Sequence, residues 1–106
     1  MTNTQTIREL NDRFRQQLAG GRVMFTRGIA GRDDSTRILE RVRQFNNFSE
    51  DNDPHGEHDF GSFDHGSDTI FWKIDYYDRD LQAASSDASD PAVTTRVLTI
   101  MLAEEY

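Results

Sequence analysis

The segment Ile70-Phe71-Trp72-Lys73-Ile74-Asp75-Tyr76-Tyr77 limits the possible folds of this chain more than any other. Its aromatic and β-branched residues suit a strand. In a strand, Ile70, Trp72, Ile74 and Tyr76 share one face, while Phe71, Lys73, Asp75 and Tyr77 share the other. The first face is apolar and must enter a core. The second is mixed, the pattern of a sheet covered by helices on one side only.

Other elements are placed around that strand. Residues 58–64 read as a second strand, joined to a strand over 69–77 through His65-Gly66-Ser67-Asp68 as a hairpin. Residues 22–26 read as a short third strand, ended by Gly28 and Gly31. From 6 to 18, Ile7, Leu10, Phe14 and Leu18 recur at helical spacing. Thr6 and Glu9 form a capping-box start, and Gly20-Gly21 a stop. A second helix runs from Asp33 or Asp34 to about Phe45, burying Ile38, Leu39, Val42 and Phe45. Asp90-Pro91 resembles a helix start, with proline at the first helical position. It predicts a last helix burying Val93, Val97, Ile100 and Met101, with Leu98 and Leu102 beside them. The expected order is α-β-α-β-β-α, an α+β fold with three helices on an antiparallel three-stranded sheet. Residues 1–106 form one domain, in which 1–5 are expected to be flexible, 46–58 a loop and 79–89 a mobile loop.

The 106-residue chain has no cysteine, which excludes disulfides and thiolate chemistry. No apolar run approaches the roughly 20 residues of a membrane helix, and the polar start predicts a cytoplasmic protein. The net charge of −7 is unevenly divided. Residues 1–48 carry nine arginines against five carboxylates, a balance of +4. Residues 49–106 carry three cations against fourteen carboxylates, a balance of −11. Either the two parts neutralise each other internally, or the surface is bipolar, with an acidic side that meets a basic partner. Direct nucleic-acid binding is disfavoured, because the molecule as a whole repels phosphate.

Candidate chemistry is concentrated in Asp51-Asn52-Asp53-Pro54-His55-Gly56-Glu57-His58-Asp59-Phe60-Gly61. Asp51, Asp53, His55 and Gly56 match the beginning of a calcium loop. The twelfth position is Ser62 rather than a bidentate glutamate, so that pattern fails. His55, His58 and Asp59 are the candidate ligands for a divalent metal ion, since imidazole and carboxylate suit zinc or manganese. The corresponding catalytic set is Glu57, His58, Asp59, Lys73 and Asp75, a metal-dependent hydrolase or nuclease. Its spacing is not that of the metal nucleases, because Phe71 stands two before Lys73. Turn hydrogen bonds and cross-strand ion pairs account for the same residues without catalysis or a cofactor. No serine elbow or phosphate-binding lysine loop is present.

Asn52–Gly61, Phe71–Asp78 and Arg96–Tyr106 contain the stretches DPHGEHDFG, FWKIDYYD and RVLTIMLAEEY. In these the chain resembles, from Leu10 onward, a bacterial family catalogued as a domain of unknown function. The resemblance implies a setting on plasmids and other mobile elements, and no established activity. The leading expectation is a small, acidic, non-enzymatic interaction protein that modulates or inhibits a host nucleic-acid-handling or defence protein. It would meet a basic surface through Asp51, Asp53, Glu57, Phe71, Tyr77, Asp78, Asp80 and Asp87. The metal-dependent hydrolase centred on His58 and Asp59 is the alternative.

Overall fold

The computed structural model describes residues 3–106. Helix α1 (Asn3–Gln17) leads into strand β1 (Gly21–Phe25), a four-residue helix α2 (Arg27–Ala30) and helix α3 (Ser35–Arg43). A long loop precedes the hairpin β2 (Phe60–His65) and β3 (Asp68–Tyr77). A second loop leads to β4 (Thr95–Leu102), and a 3₁₀ turn (Ala103–Glu105) follows. The class is α+β. Asn3–Gln5, expected in a flexible start, belong to α1, and Met1 and Thr2 lie outside the described residues.

The sheet has four strands in the order β1-β4-β3-β2. β4 runs antiparallel to β3 and parallel to β1, and β3 runs antiparallel to β2. It is therefore a four-stranded mixed sheet, which corrects the expected three-stranded antiparallel one. The correction comes from residues 95–102, a central strand rather than a helix. Val97, Leu98, Ile100 and Met101 are all buried, so apolar residues occupy both faces of β4 and period-two alternation is hidden. Asp90 makes a turn instead of a helix start, its carboxylate accepting the Ala92 N–H at 2.9 Å.

The hairpin forms as expected, with β2 over 60–65 against the expected 58–64 and β3 over 68–77 against the expected 69–77. His65 pairs with Asp68 across a two-residue turn, and Gly66 supplies the positive φ of 63° at its first central position. Ile70, Trp72 and Ile74 of β3 lie beside Leu102, Ile100 and Leu98 of β4. Phe14 of α1, Ile29 of α2, and Ile38 and Val42 of α3 join them in one core. Gly61 sits opposite Trp72, where a Cβ would fall 2.3 Å from the indole Nε1, so glycine lets the hairpin close over the ring. The helices cover this face. Phe71, Lys73, Asp75 and Tyr77, with Val97, Thr99 and Met101 opposite, form the other face, which none of α1–α3 covers and where Phe60 and Tyr106 pack on Phe71. No described helix is long and apolar enough to cross a membrane.

Candidate functional site

The polar run of residues 51–59 is knotted by short-range bonds. Asp53 donates its N–H to Ser49 O at 2.8 Å, Gly56 donates to Asp53 O at 3.1 Å, and Asn52 donates its side-chain amide to Asn47 O at 2.8 Å. Gly56 and His58 both adopt left-handed backbone, with φ of 71° and 55°. That conformation costs a non-glycine residue energy, so His58 is held by what surrounds it. Its ring lies flat on Phe48, with centroids 3.7 Å apart and planes 4° from parallel. Nδ1 meets both carboxylate oxygens of Asp12, at 2.9 and 3.1 Å. Nε2 stands 3.6 Å from the Asp53 carboxylate, which also accepts the His58 backbone N–H at 3.1 Å. The imidazole is thus fixed between two acids and one ring.

Two further buried groups extend this interior network. Asn11, fully buried on α1, donates its amide to Tyr76 Oη at 2.8 Å and to Glu57 O at 3.0 Å. Its side-chain oxygen accepts Arg96 Nε at 2.7 Å, and Arg96 also donates to Ala88 O. Tyr76 donates its hydroxyl to Glu57 at 2.8 Å, and burial pushes its acidity well out of the physiological range. Arg15, 1% exposed, donates to the carbonyls of Val42, Arg43 and Phe45 at 3.1, 3.0 and 2.9 Å, closing the C-terminus of α3. Its guanidinium pairs with Asp12 at 3.1 Å and lies 5.2 Å from the Trp72 ring. Apart from Arg15 Nε, which is buried without a hydrogen-bond partner, these bonded polar groups have the character of a scaffold.

The proposed catalytic set is divided by the sheet. Glu57, His58 and Asp59 lie in the loop on the helix side. Lys73 and Asp75 form an ion pair of 3.0 Å on the uncovered face. Asp75 thereby raises the Lys73 pKa, the opposite of what a proton-accepting lysine requires. Asp59 is different. Burial, reinforced by the charges of Glu57 and Asp53, raises its pKa above the ordinary aspartate value. His55 is exposed and adds a weak opposing influence. Among the described residues, no group of three or more His, Asp or Glu is arranged to share a metal ion.

The residues expected to bind a partner also separate. Asp53 is 8% exposed and turned toward His58, and Glu57 is turned toward Tyr76, so neither belongs to an exposed acidic rim. Asp51, Asp80 and Asp87 are exposed and Asp78 is half-buried. Hydrogen bonds from the Ser89 hydroxyl and N–H hold Asp87 below the usual carboxylate range. Phe71 packs edge-on against Phe60 and Tyr106, at 5.3 and 5.7 Å between centroids. Tyr77 lines a cleft of about 330 Å³ on the uncovered face, with Met24, Leu81 and Val97 as its apolar wall and Lys73, Asp75 and Thr99 as its polar part. The segment 75–90, of which Asp75, Tyr77 and Leu81 line the cleft, carries five aspartates and one arginine.

Internal pairing leaves the charge asymmetry largely in place. Among the described residues, Arg32–Asp68 at 2.6 Å is the one arginine–carboxylate pair that joins 1–48 to 49–106. Asp12–His58 and Asp34–His65 add histidine contacts across the same division. Of the acids beyond residue 48, only Asp68 and Asp75 pair with an arginine or lysine among the described residues.

A family model described as Protein of unknown function (DUF3768) matches residues 3–105. The chain belongs to this family. No curated protein and no solved structure matches it. The stretches DPHGEHDFG, FWKIDYYD and RVLTIMLAEEY occupy distinct parts of this fold. The first is the knotted loop running into β2, the second is most of β3, and the third is β4 with the terminal turn. Asn11, Arg15 and Arg96, the buried centre of the network, went unnoticed in the sequence. Asn11 and Arg15 are four residues apart beside the apolar stripe of α1, and that adjacency was the available signal.

Proposed function

We propose that this DUF3768 protein is a small acidic binding module, not an enzyme, that takes a cationic partner protein on its uncovered sheet face. One observation carries the reading: the acidic loop over 75–90, whose Asp78, Asp80 and Asp87 lack cationic partners, borders the apolar cleft formed by Met24, Tyr77, Leu81 and Val97. An apolar cleft beside unpaired charge suits an anchoring side chain surrounded by steering charges. The division of His58 and Asp59 from Lys73 and Asp75 by the sheet weighs against the hydrolase alternative. The mobile-element setting implied by the sequence resemblance makes host nucleic-acid-handling and defence proteins the partner class to examine first.

The test is affinity capture from a host lysate at low and high salt, using wild type, Asp78→Lys/Asp80→Lys/Asp87→Lys, and Leu81→Asp. A partner retained by wild type at low salt, released at high salt and lost by both variants is the expected result. Retention by both variants, or no salt-sensitive partner, overturns the reading.

A further inference from the structure

The two edges of the sheet are finished differently. At the β2 edge, Arg41 reaches over and donates to Asp64 O at 2.6 Å, placing a charged side chain across the outer backbone. Such blunting is how proteins discourage an added strand. At the β1 edge, among the described residues, no side chain bonds the backbone of Arg22–Phe25 in this way. Its five residues include no proline, and Met24 and Phe25 are 55% and 37% exposed. Apart from the terminal Tyr106, Met24 is the most exposed large hydrophobic among the described residues.

The backbone of β1 can be assigned inward and outward groups. Thr26 donates its N–H to Ile100 O at 3.1 Å, at the end of the parallel β1–β4 ladder. In such a ladder alternate residues direct both backbone groups to the neighbour and the intervening ones direct both away. Arg22 and Met24 therefore bond β4, and the N–H and C=O of Val23 and Phe25 point to solvent. Met24 meanwhile turns its side chain into the 330 Å³ cleft of the uncovered face.

We infer that β1 is a strand-addition site, where an extended, lysine-containing segment of a partner protein pairs with Val23 and Phe25. Alternate apolar side chains of that segment lie over Met24 beside the cleft. Its cationic side chains are favoured by Asp78, Asp80, Asp87 and Asp90, which pair with no arginine or lysine among the described residues and outnumber Arg22, Arg27 and Arg79 around β1. This rests on the acidic binding function proposed above and adds how the partner docks. Main-chain hydrogen bonds supply affinity in this mode, and alternate side chains supply selectivity.

The probe is a capped decapeptide of alternating valine and lysine, compared with the same peptide N-methylated at every second residue. Binding is read by isothermal titration and by hydrogen exchange of the Val23 and Phe25 amides. The unmodified peptide is expected to bind and protect both amides, and N-methylation is expected to weaken it by at least about tenfold. Val23→Pro removes an outward N–H at a position where an edge strand tolerates proline, so it should abolish binding while the circular dichroism of the fold persists. Equal binding of both peptides, sensitive to Asp78→Lys/Asp80→Lys/Asp87→Lys, overturns strand addition and leaves the acidic recognition standing. Binding lost on N-methylation but indifferent to those charge reversals does the reverse. Binding of neither peptide overturns both.

Discussion

At the residue scale, Asp59 is the point where function and stability can be separated. Its folded pKa is raised by burial first and by Glu57 and Asp53 next. A raised carboxylate favours the protonated form in the fold. Its contribution is therefore fully present below the unfolded value, near about 3.9, and is lost as pH rises through the folded value. At neutral pH the ionised group costs stability. Asp59→Asn is expected to raise the melting temperature at pH 7, with the gain fading toward pH 4, in thermal melts at the two pH values. A lower melting temperature at pH 7 would mean that the ionised carboxylate has a compensating partner. His58 is the contrasting case. From the sequence it reads first as a hydrogen-bonded structural histidine and second as a metal ligand, and its ring is held by Asp12, Asp53 and Phe48. Those contacts come from α1 and from residues five or more positions away, so no local motif records them.

At the element scale, the joint between α1 and α3 depends on Arg15. The guanidinium donates to three carbonyls at the end of α3 from 27 to 30 residues away in sequence, and of these Val42 O also accepts the Phe45 N–H at 3.2 Å. Replacing Arg15 by methionine keeps much of the apolar stem over Trp72 but removes the guanidinium donors to Arg43 O and Phe45 O, while Asp12 keeps His58. The expected loss is about 1–3 kcal/mol, the usual cost of leaving buried acceptors unsatisfied. Urea denaturation measures it, and a change below about 1 kcal/mol, the worth of an exposed pair, would contradict the capping role. The elements themselves were unequally legible. The hairpin was readable because β3 alternates and Gly66 marks its turn. α3 was readable from Ile38 and Val42, both buried as expected. β4 was not, because Val97, Ile100 and Met101 satisfy a helical spacing as well as a strand buried on both faces. Asp90-Pro91 then added a helix-start signal that the chain uses for a turn. With β4 misread, the parallel partnership with β1 and the exposed β1 edge could not be anticipated.

At the scale of the whole molecule, the question is how a charge of −7 is carried. One arginine–carboxylate pair joins the basic and acidic parts of the described chain, and of the acids after residue 48 only Asp68 and Asp75 pair with an arginine or lysine among the described residues. The remaining acids repel one another through solvent over distances that salt controls, since the screening length falls from about 30 Å at 0.01 M to about 3 Å at 1 M. Two effects compete when salt is added. Screening weakens the exposed pairs Arg32–Asp68, Arg43–Glu40 and Lys73–Asp75, but pairs of this kind each contribute only about 0–1 kcal/mol. It also relieves the self-repulsion of the acidic part, which grows with the number of unpaired carboxylates. The second effect should win. The melting temperature is expected to rise as sodium chloride goes from 0.01 to about 0.5 M, a range over which the screening length shrinks several-fold. Asp78→Lys/Asp80→Lys/Asp87→Lys should flatten that dependence, because it replaces three unpaired acids of one loop. A melting temperature that falls with salt in the wild type would show that attraction between the two parts dominates. The acidic side would then be the inner half of a neutralised molecule, with little field left to draw in a basic partner.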